Sequence, residues 1–583
     1  MPTRSAARCA RQAGRQAGRQ AGRQVPVIPS RSNCKRRARC DHEGYKGRHL
    51  IEHTFYRLKD FRRVATRYDK LATKFLSGVA LARPWRSASE WVSTIGEAFC
   101  WIHVGFRFVP CLFRRFTSDK WRQSMQSYTP EQYGAQGNGT TNDTDAFVAL
   151  AAAVSTAGGG LIEFNPGATY IVGKQTYQHG AIAHGDMGET YTAYAPSRVL
   201  FFDGLVGPLI IHGNGARMKA ASALRYGTFS STTENLATQN PSGYVGPESS
   251  APYVAMINVE SCIGPVVIRD LELDGNSDNY IWGGQAGDTG WQITSDGMLI
   301  QNNTNVIIEN VYSHHHGHDG IEMWIRDAGR LAVRDSRFEY NCRLGGNLRG
   351  GTGLHVVNCR FDYNAKGTHY SAPAAGFDLE KETSSIAGFM FEHCFFRHNR
   401  YTGVVADNGT VTTGSFNSCV FWTGANEGGS LYISRPRFSF RDCVIGGPIS
   451  IFDSGCSLPG DLPSFRRCYF TDDPTVYSLD GTVNTGTSSY NIDGVLGTHT
   501  WGMYDSCQWY MKSSRISGAP SGVAFDNCIL NQAYDPTPGP GQLISGIFHN
   551  RCHIFGYGIY TDGHTTFDDN TCTFNGTRQL KTS

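Results

Sequence analysis

Five segments align when each is set on the glycine near its start: DGIEMW (319–324), GGNLR (345–349), GFDLE (376–380), GVVAD (403–407) and GGSLY (428–432). If each is a β-strand, successive side chains alternate between two faces. Ile321, Met323, Leu348, Phe377, Leu379, Val404, Ala406 and Leu431 then form an apolar, inward-facing set. The other parity places Glu322, Asn347, Asp378, Val405 and Ser430 in one outward column, with Trp324, Arg349, Glu380, Asp407 and Tyr432 in the next. Carboxylates flanked by aromatic rings suit a glycan, because rings stack on pyranose faces and acids reach hydroxyl groups. A plain solvated sheet face would also carry charges, and the aromatics tip the reading toward sugar.

The spacing admits several reactions. Asp378 and Glu380 lie two residues apart on one strand, ~6.6 Å between Cα atoms, and Glu322 stands two strands from Asp378, ~9.6 Å. Both separations sit near the range for inverting glycoside hydrolysis, in which an acid protonates the leaving oxygen and a base activates water on the opposite face. Glu380 and Asp407, one strand apart at ~4.8 Å, suit a retaining pair or two carboxylates sharing a proton. Glu322, Asp378, Glu380 and Asp407 are therefore the catalytic candidates. Trp324, Asn347, Arg349 and Tyr432, with His318 and Asp319 beside them, are the substrate-binding candidates. Hydrolysis is the first reading. A lyase is the alternative, with Arg349, Lys381 or a histidine of 314–318 as the base that takes a proton beside a uronate. A non-catalytic glycan-binding or tailspike-like module is the third.

No cofactor is required by this chemistry. Calcium is the ion that Asp378, Glu380 and Asp407 could hold, since it takes hard oxygen ligands. His314, His315, His316 and His318, in SHHHGHDG, read first as the polar rim of a cleft, because adjacent histidines on a turn point apart. A transition-metal cluster is the lesser reading.

Such a patch needs a scaffold that stacks equivalent strands. A cysteine followed at the second position by an apolar or aromatic residue recurs at Cys359, Cys394, Cys419, Cys443, Cys468, Cys507, Cys528, Cys552 and Cys572. Most intervals lie near 24 residues, the length of a three-strand coil, and this is a solenoid period. Cysteines at one point of successive coils stack with parallel side chains, so a buried ladder of reduced thiols is favoured over disulfides. Asn341, Asn364 and Asn399 each fall five residues after Ser336, Cys359 and Cys394. There a side-chain amide can bond backbone at a turn and stack on its neighbours.

Upstream, YGAQGNGTTNDTDAFVALAAAVSTAGGGLIEFNPGATYIVG (133–173) sets Asn142 and Asp143 before an Ala-rich helix, then a glycine stop, then a strand. With the repeats behind it, this resembles the opening of pectate-lyase-superfamily proteins, in which a short helix plugs the first coil. The resemblance implies an all-β, right-handed parallel β-helix over residues 125–583 and a polysaccharide partner. That superfamily contains inverting hydrolases and calcium-assisted lyases, and neither group's full catalytic signature is present here.

Residues 1–124 are of another kind. They hold 27 Lys and Arg against 8 Asp and Glu, whereas the remainder holds 27 against 42. An acidic body gives no reason to expect nucleic-acid or membrane binding by the main domain, since either needs a basic face. Residues 1–43, with RQAGRQAGRQAGRQ, read as a basic low-complexity tail. Within 44–82, IEHTFYRLKDFRRVATRYDK resembles the C-terminal end of DDE-type insertion-sequence transposases, which puts that family's last carboxylate at Glu52. No matching aspartates precede it, so a helical remnant of a mobile element is expected, with 83–124 as a linker and Met125 as a plausible start. Secretion or surface display is expected from the function, although no clear signal peptide is present. The oligomeric state is not legible.

Overall fold

A computed structural model of the chain describes residues 125–178, 182–183, 190–231, 249–284, 292–381, 385–406, 413–433, 437–452, 463–484, 491–493, 504–511, 524–532, 543–544, 547–555, 558–559, 566–567, 571–574 and 577–578. All belong to the second of the two units into which the chain divides, Phe116–Ser583. The basic tail, the transposase-like remnant with Glu52, and the linker lie outside the described residues, as does Asp407.

Strands pair in parallel with the equivalent strand one coil on. On one face Ile321–Arg334 is followed by Gly346–Leu348, Ala375–Leu379, Thr402–Ala406, Gly429–Ile433 and Ile449–Phe452. A second face stacks Leu354–Val357, Phe389–Glu392, Gly414–Asn417 and Phe438–Arg441. A third stacks Phe395–Arg397, Val420–Trp422 and Val444–Gly446. The architecture is a right-handed parallel β-helix, the hand that parallel crossover connections take.

The corner between the second and third faces is made by one residue with a left-handed backbone. Asn358, His393, Ser418, Asp442, Arg467, Ser506, Asn527 and Arg551 all have φ between 52° and 57°, and each immediately precedes a ladder cysteine. Short polar side chains tolerate that conformation best, which explains why most of these residues are Asn, Asp, Ser or His. The bend turns the next side chain inward. All nine ladder cysteines are buried and unoxidised. The thiols from Cys359 to Cys528 donate to the carbonyl two residues back, as Cys359 Sγ to Val357 O at 3.3 Å and Cys394 Sγ to Glu392 O at 3.3 Å.

Two aromatic columns fill the interior beside them. Phe338, Phe361, Phe396 and Phe421 stack with centroids 5.1–5.3 Å apart. Phe391, Phe416, Phe440 and Phe465 stack at 4.6–5.0 Å and continue through Tyr504 and Phe525. These spacings are the strand spacing of the sheets themselves. The expected asparagine ladder is present: Asn341 N donates to Asn364 Oδ1 at 3.1 Å, and Asn364 N to Asn399 Oδ1 at 2.9 Å.

The first coil is closed by the helix Thr144–Thr156, which buries Phe147, Leu150, Ala151 and Val154 against it. Asn142 Oδ1 accepts from Thr144 N at 3.1 Å, satisfying an amide that the helix leaves open. The chain then leaves at Gly159 (φ +145°), where a Cβ would stand 2.5 Å from Pro208 O, so only glycine fits.

Candidate functional site

The first face carries the site. Its register joins Leu299, Glu322, Asn347, Asp378 and Val405 as direct neighbours on successive strands. The inward set is also as expected: Ile321, Met323, Leu348, Phe377, Leu379, Val404, Ala406 and Leu431 are all buried in the core. One position differs. Tyr432 stands opposite Val405, in the column of Glu322 and Asp378, and not beside Trp324 and Arg349; Ser430 leaves that column. The segment GGSLY enters its strand with two glycines, and it is the second, Gly429, that pairs with Thr402. Aligning on the first shifted the strand by two residues, which preserves the inward–outward parity and moves each side chain one column.

Glu322, Asn347 and Asp378 face out from the sheet and are still buried, 6%, 1% and 2% exposed. A second layer of side chains from the preceding turns lies around them. Asp296, His318, Asp319 and Glu322 each bring one ligand atom to within 4.8 Å of the others. His318 Nδ1 lies 2.7 Å from Asp296 Oδ1, which also accepts Asp319 N at 2.9 Å. Arg343 Nη1 donates to Asp319 Oδ2 at 3.0 Å, and its Nε to Ala372 O at 3.1 Å. Arg349 donates to Glu322 Oε1. The surface above is made by Trp324, Arg349 and Glu380, all half-buried, and by Tyr432, 37% exposed.

Electrostatics in this enclosed layer are set by desolvation. Burial pushes the Asp296 carboxyl up to about 7, against the opposing pull of the Asp319 amide and of Arg343 and Arg349. Burial likewise lifts Asp319 to about 6, helped by the nearby charges of Asp296 and Glu322. His318 is held below its ordinary value by burial and is neutral at pH 7. Burial works against the charge of Arg343, yet the carboxylates of Asp319, Asp378, Glu322 and Glu380 outweigh it and raise its pKa. Five carboxyls, those of Asp296, Asp319, Glu322, Asp378 and Glu380, thus stand around the two guanidinium groups of Arg343 and Arg349. Asp296 Oδ2, Asp319 Oδ1 and Asn347 Oδ1 are buried without a hydrogen-bond partner among the described residues, so the layer holds unused polar capacity.

Those donors, three carboxyls and an imidazole, could also take a divalent cation. An ion there would compete with Arg343 and Arg349 for the same oxygens. Asp274, His314 and His315 form a second group with ligand atoms within 4.8 Å. The expectation that adjacent histidines point apart fails for one pair: His314 Nδ1 and His315 Nδ1 lie 2.7 Å from each other, whereas His316 and His318 are directed elsewhere. His314 stacks on Tyr312 and contacts Glu272, His315 stacks on Tyr340, His316 is fully buried against the Tyr253 hydroxyl, and His318 joins the carboxylates.

Asp296 and Arg343 were not among the candidates. A signal for Asp296 existed: the dipeptide Asp-Gly occurs at 296–297 and again at 319–320, one coil apart, and Gly297 N bonds Asp319 O at 2.9 Å. Arg343 has no such marker, because it lies in a turn outside the strand alignment.

Residues 271–445 match the family of right-handed β-helix regions. The fold recurs in the mannuronan C-5 epimerase AlgE4 A-module of Azotobacter vinelandii, at 14% identity, covering 77% of this chain and 100% of that one, with a TM-score of 0.36. It recurs in an exopolygalacturonase of Thermotoga maritima, at 11% identity, covering 78% and 93%, TM-score 0.32. A surface adhesin of Streptococcus pneumoniae, PfbA, shares it at 11% identity, covering 79% and 99%, TM-score 0.32. No curated protein matches the sequence.

Proposed function

We propose that the β-helical unit cleaves a glycosidic bond by acid–base hydrolysis on its first face. The observation that carries this is the pair of stacked carboxyls, Asp296 and Asp319, lifted by burial to about 7 and about 6 beside Glu322. A general acid works best when its pKa lies near the working pH, and an ordinary surface carboxyl is ionised far below it. In this reading Asp296 and Asp319 store the proton, and Glu322 passes it to the leaving oxygen once substrate displaces Arg349. Asp378, two strands away, activates water from the position that inversion demands, at ~9.6 Å between strands. Arg349 and Glu380 meet the substrate's polar groups, while Trp324 and Tyr432 offer ring faces.

The test is to assay the full chain on uronic-acid and neutral polysaccharides, following reducing ends together with the absorbance of unsaturated products. Reducing ends without the chromophore are expected, with turnover falling by roughly 100-fold or more in Glu322→Gln and Asp319→Asn while binding persists. Both signals together would mean elimination and move the base to Arg349, Lys381 or a histidine. Turnover that survives both substitutions would remove the site. One observation favours a second reading, a glycan-binding module without turnover: Asp296, His318, Asp319 and Glu322 are only 0–7% exposed. Binding with no reducing ends from any glycan would establish that reading instead.

A further inference from the structure

The loop after Asn364 has two sides. On one, Ala372 O accepts Arg343 Nε at 3.1 Å, tying the loop to the carboxylate layer. On the other, Lys366–His369 forms a wall of a cavity of about 230 Å³. Ser277, Asp278, Trp282, Tyr340, Asn341 and Tyr363 also line it. His369 lies flat on Trp282, centroids 4.4 Å apart and planes 1° from parallel. Asn341 and Cys342 line the cavity, and the next residue, Arg343, holds Asp319. The cavity and the acid layer therefore share one turn of backbone.

Its size and charge restrict what it can take. At about 230 Å³ it is smaller than the ~300–1,000 Å³ of sites that enclose drug-sized ligands, and suits one sugar ring. The walls offer hydroxyls, an amide, a carboxylate and indole, phenol and imidazole rings, the mixture that grips a polyol with one apolar face. The ammonium of Lys366 is already bound, 2.6 Å from Glu427 Oε1, in a carboxylate whose side chain is 2% exposed. The imidazoles of His315 and His369 are taken up in ring stacks, on Tyr340 and on Trp282. Asp278, exposed, adds a carboxylate to the lining. Among the described lining residues nothing is left to neutralise a uronate.

We propose that this cavity is a subsite for one neutral or amino-bearing pyranose, adjacent to the bond attacked at the carboxylate face, so that the glycan carries a non-acidic sugar at that position. The assignment rests on the glycan reading above and narrows it. An amino group gains from Asp278, a neutral ring is accepted, and a carboxylate is repelled.

The test uses the full chain carrying Asp319→Asn, which removes turnover, with saturation-transfer NMR and tryptophan fluorescence as readouts. Galactosamine, galactose and galacturonate are titrated, then the gluco and manno sets, since within each trio the amino sugar exchanges the C2 hydroxyl for an amine and the uronate exchanges the C6 hydroxymethyl for a carboxylate. The amino or neutral member of one set should bind at least about tenfold more tightly than its uronate, as expected for a buried charge without a partner. Asp278→Asn should remove the preference for the amine, and His369→Ala should weaken every sugar of that set with the circular dichroism unchanged. A uronate that binds as tightly as its neutral partner, binding indifferent to both substitutions, or no binding by any sugar would overturn the proposal. Sugar binding of the expected pattern in a chain that cleaves no glycan would leave this subsite standing and remove only hydrolysis.

Discussion

The interior ladders and the outer carboxylate layer are built from the same coils, yet they obey opposite rules. In the interior each coil repeats its neighbour: Phe391, Phe416, Phe440 and Phe465 stack ring on ring, with a thiol beside each. On the outer face no rung repeats its neighbour, and Leu299, Glu322, Asn347, Asp378, Val405 and Tyr432 succeed one another as six residues of four chemical kinds. Repetition lets every rung be satisfied by the next one. Where it stops, charges are desolvated without a matching neighbour, and polar atoms such as Asp296 Oδ2 are left over. The regular side holds the fold together, and the irregular side stores unspent electrostatic free energy that chemistry can use.

The sharpest way to break the comparison is to remove a repeated rung. Phe416 is fully buried and stacks on Phe391 and Phe440 at 5.0 and 4.9 Å. Phe416→Ala should destabilise by ~3–5 kcal/mol, the range for truncating a buried aromatic in a core that cannot collapse. Equilibrium urea unfolding reads this directly. A loss under about 1 kcal/mol would mean that neighbouring coils slide in to fill the gap, and that the ladder is less rigid than its spacing implies.

The irregular side should respond with the opposite sign. Asp296 is lifted from 3.8 to about 7, so the folded protein binds a proton there that the unfolded chain has lost. Its contribution to stability is therefore favourable at low pH and declines as pH rises from about 4 to about 7, after which the full penalty of a buried charge remains. Asp296→Asn keeps an acceptor for His318 Nδ1 and the Asp319 amide and cannot ionise. The variant should be more stable than the parent at pH 8, by an amount on the order of 1–3 kcal/mol seen as a higher melting temperature, and the two should converge near pH 4. Equal melting curves at both pH values would show that Asp296 is not held protonated, and the acid reservoir of the proposed mechanism would go with it.

This division also explains what could be read from the sequence. Period and parity were legible because they repeat: the cysteines at intervals near 24, the asparagines five residues behind them, and the apolar alternation that put Glu322, Asn347 and Asp378 on one column. Tyr432 was misplaced by two residues because the glycine taken as the common mark does not keep its place: Thr402 pairs with Gly429 and Val404 with Leu431, which sets Gly403 opposite Ser430. Asp296 repeats Asp319 one coil earlier and could have been found by that spacing. Arg343 could not, because the turn that carries it belongs to no repeating pattern, and its role depends on Asp319, 24 residues away, being folded beneath it.

The smallest effect belongs to a change within the repeat that preserves its bonding. At the rung before Cys359 the ladder position is Ser336, which follows the left-handed Asp335 (φ 48°) as each cysteine follows its corner residue. Its hydroxyl donates to Arg334 O at 2.6 Å, the same second-residue-back carbonyl that the thiols use. A hydroxyl in the ladder therefore has its partner ready, and the usual penalty of a buried unsatisfied polar group does not apply. Cys419→Ser, with Cys419 Sγ at 3.5 Å from Asn417 O, should cost no more than about 1 kcal/mol, the difference in apolar burial between sulfur and oxygen. Cys419→Val removes the donor and adds a branched side chain to a packed interior, which should cost more, ~1–3 kcal/mol. If serine proved the worse of the two by urea unfolding, the thiols would act through size and apolar contact alone. The carbonyl bond repeated up the ladder would then be a consequence of the packing and not one of its causes.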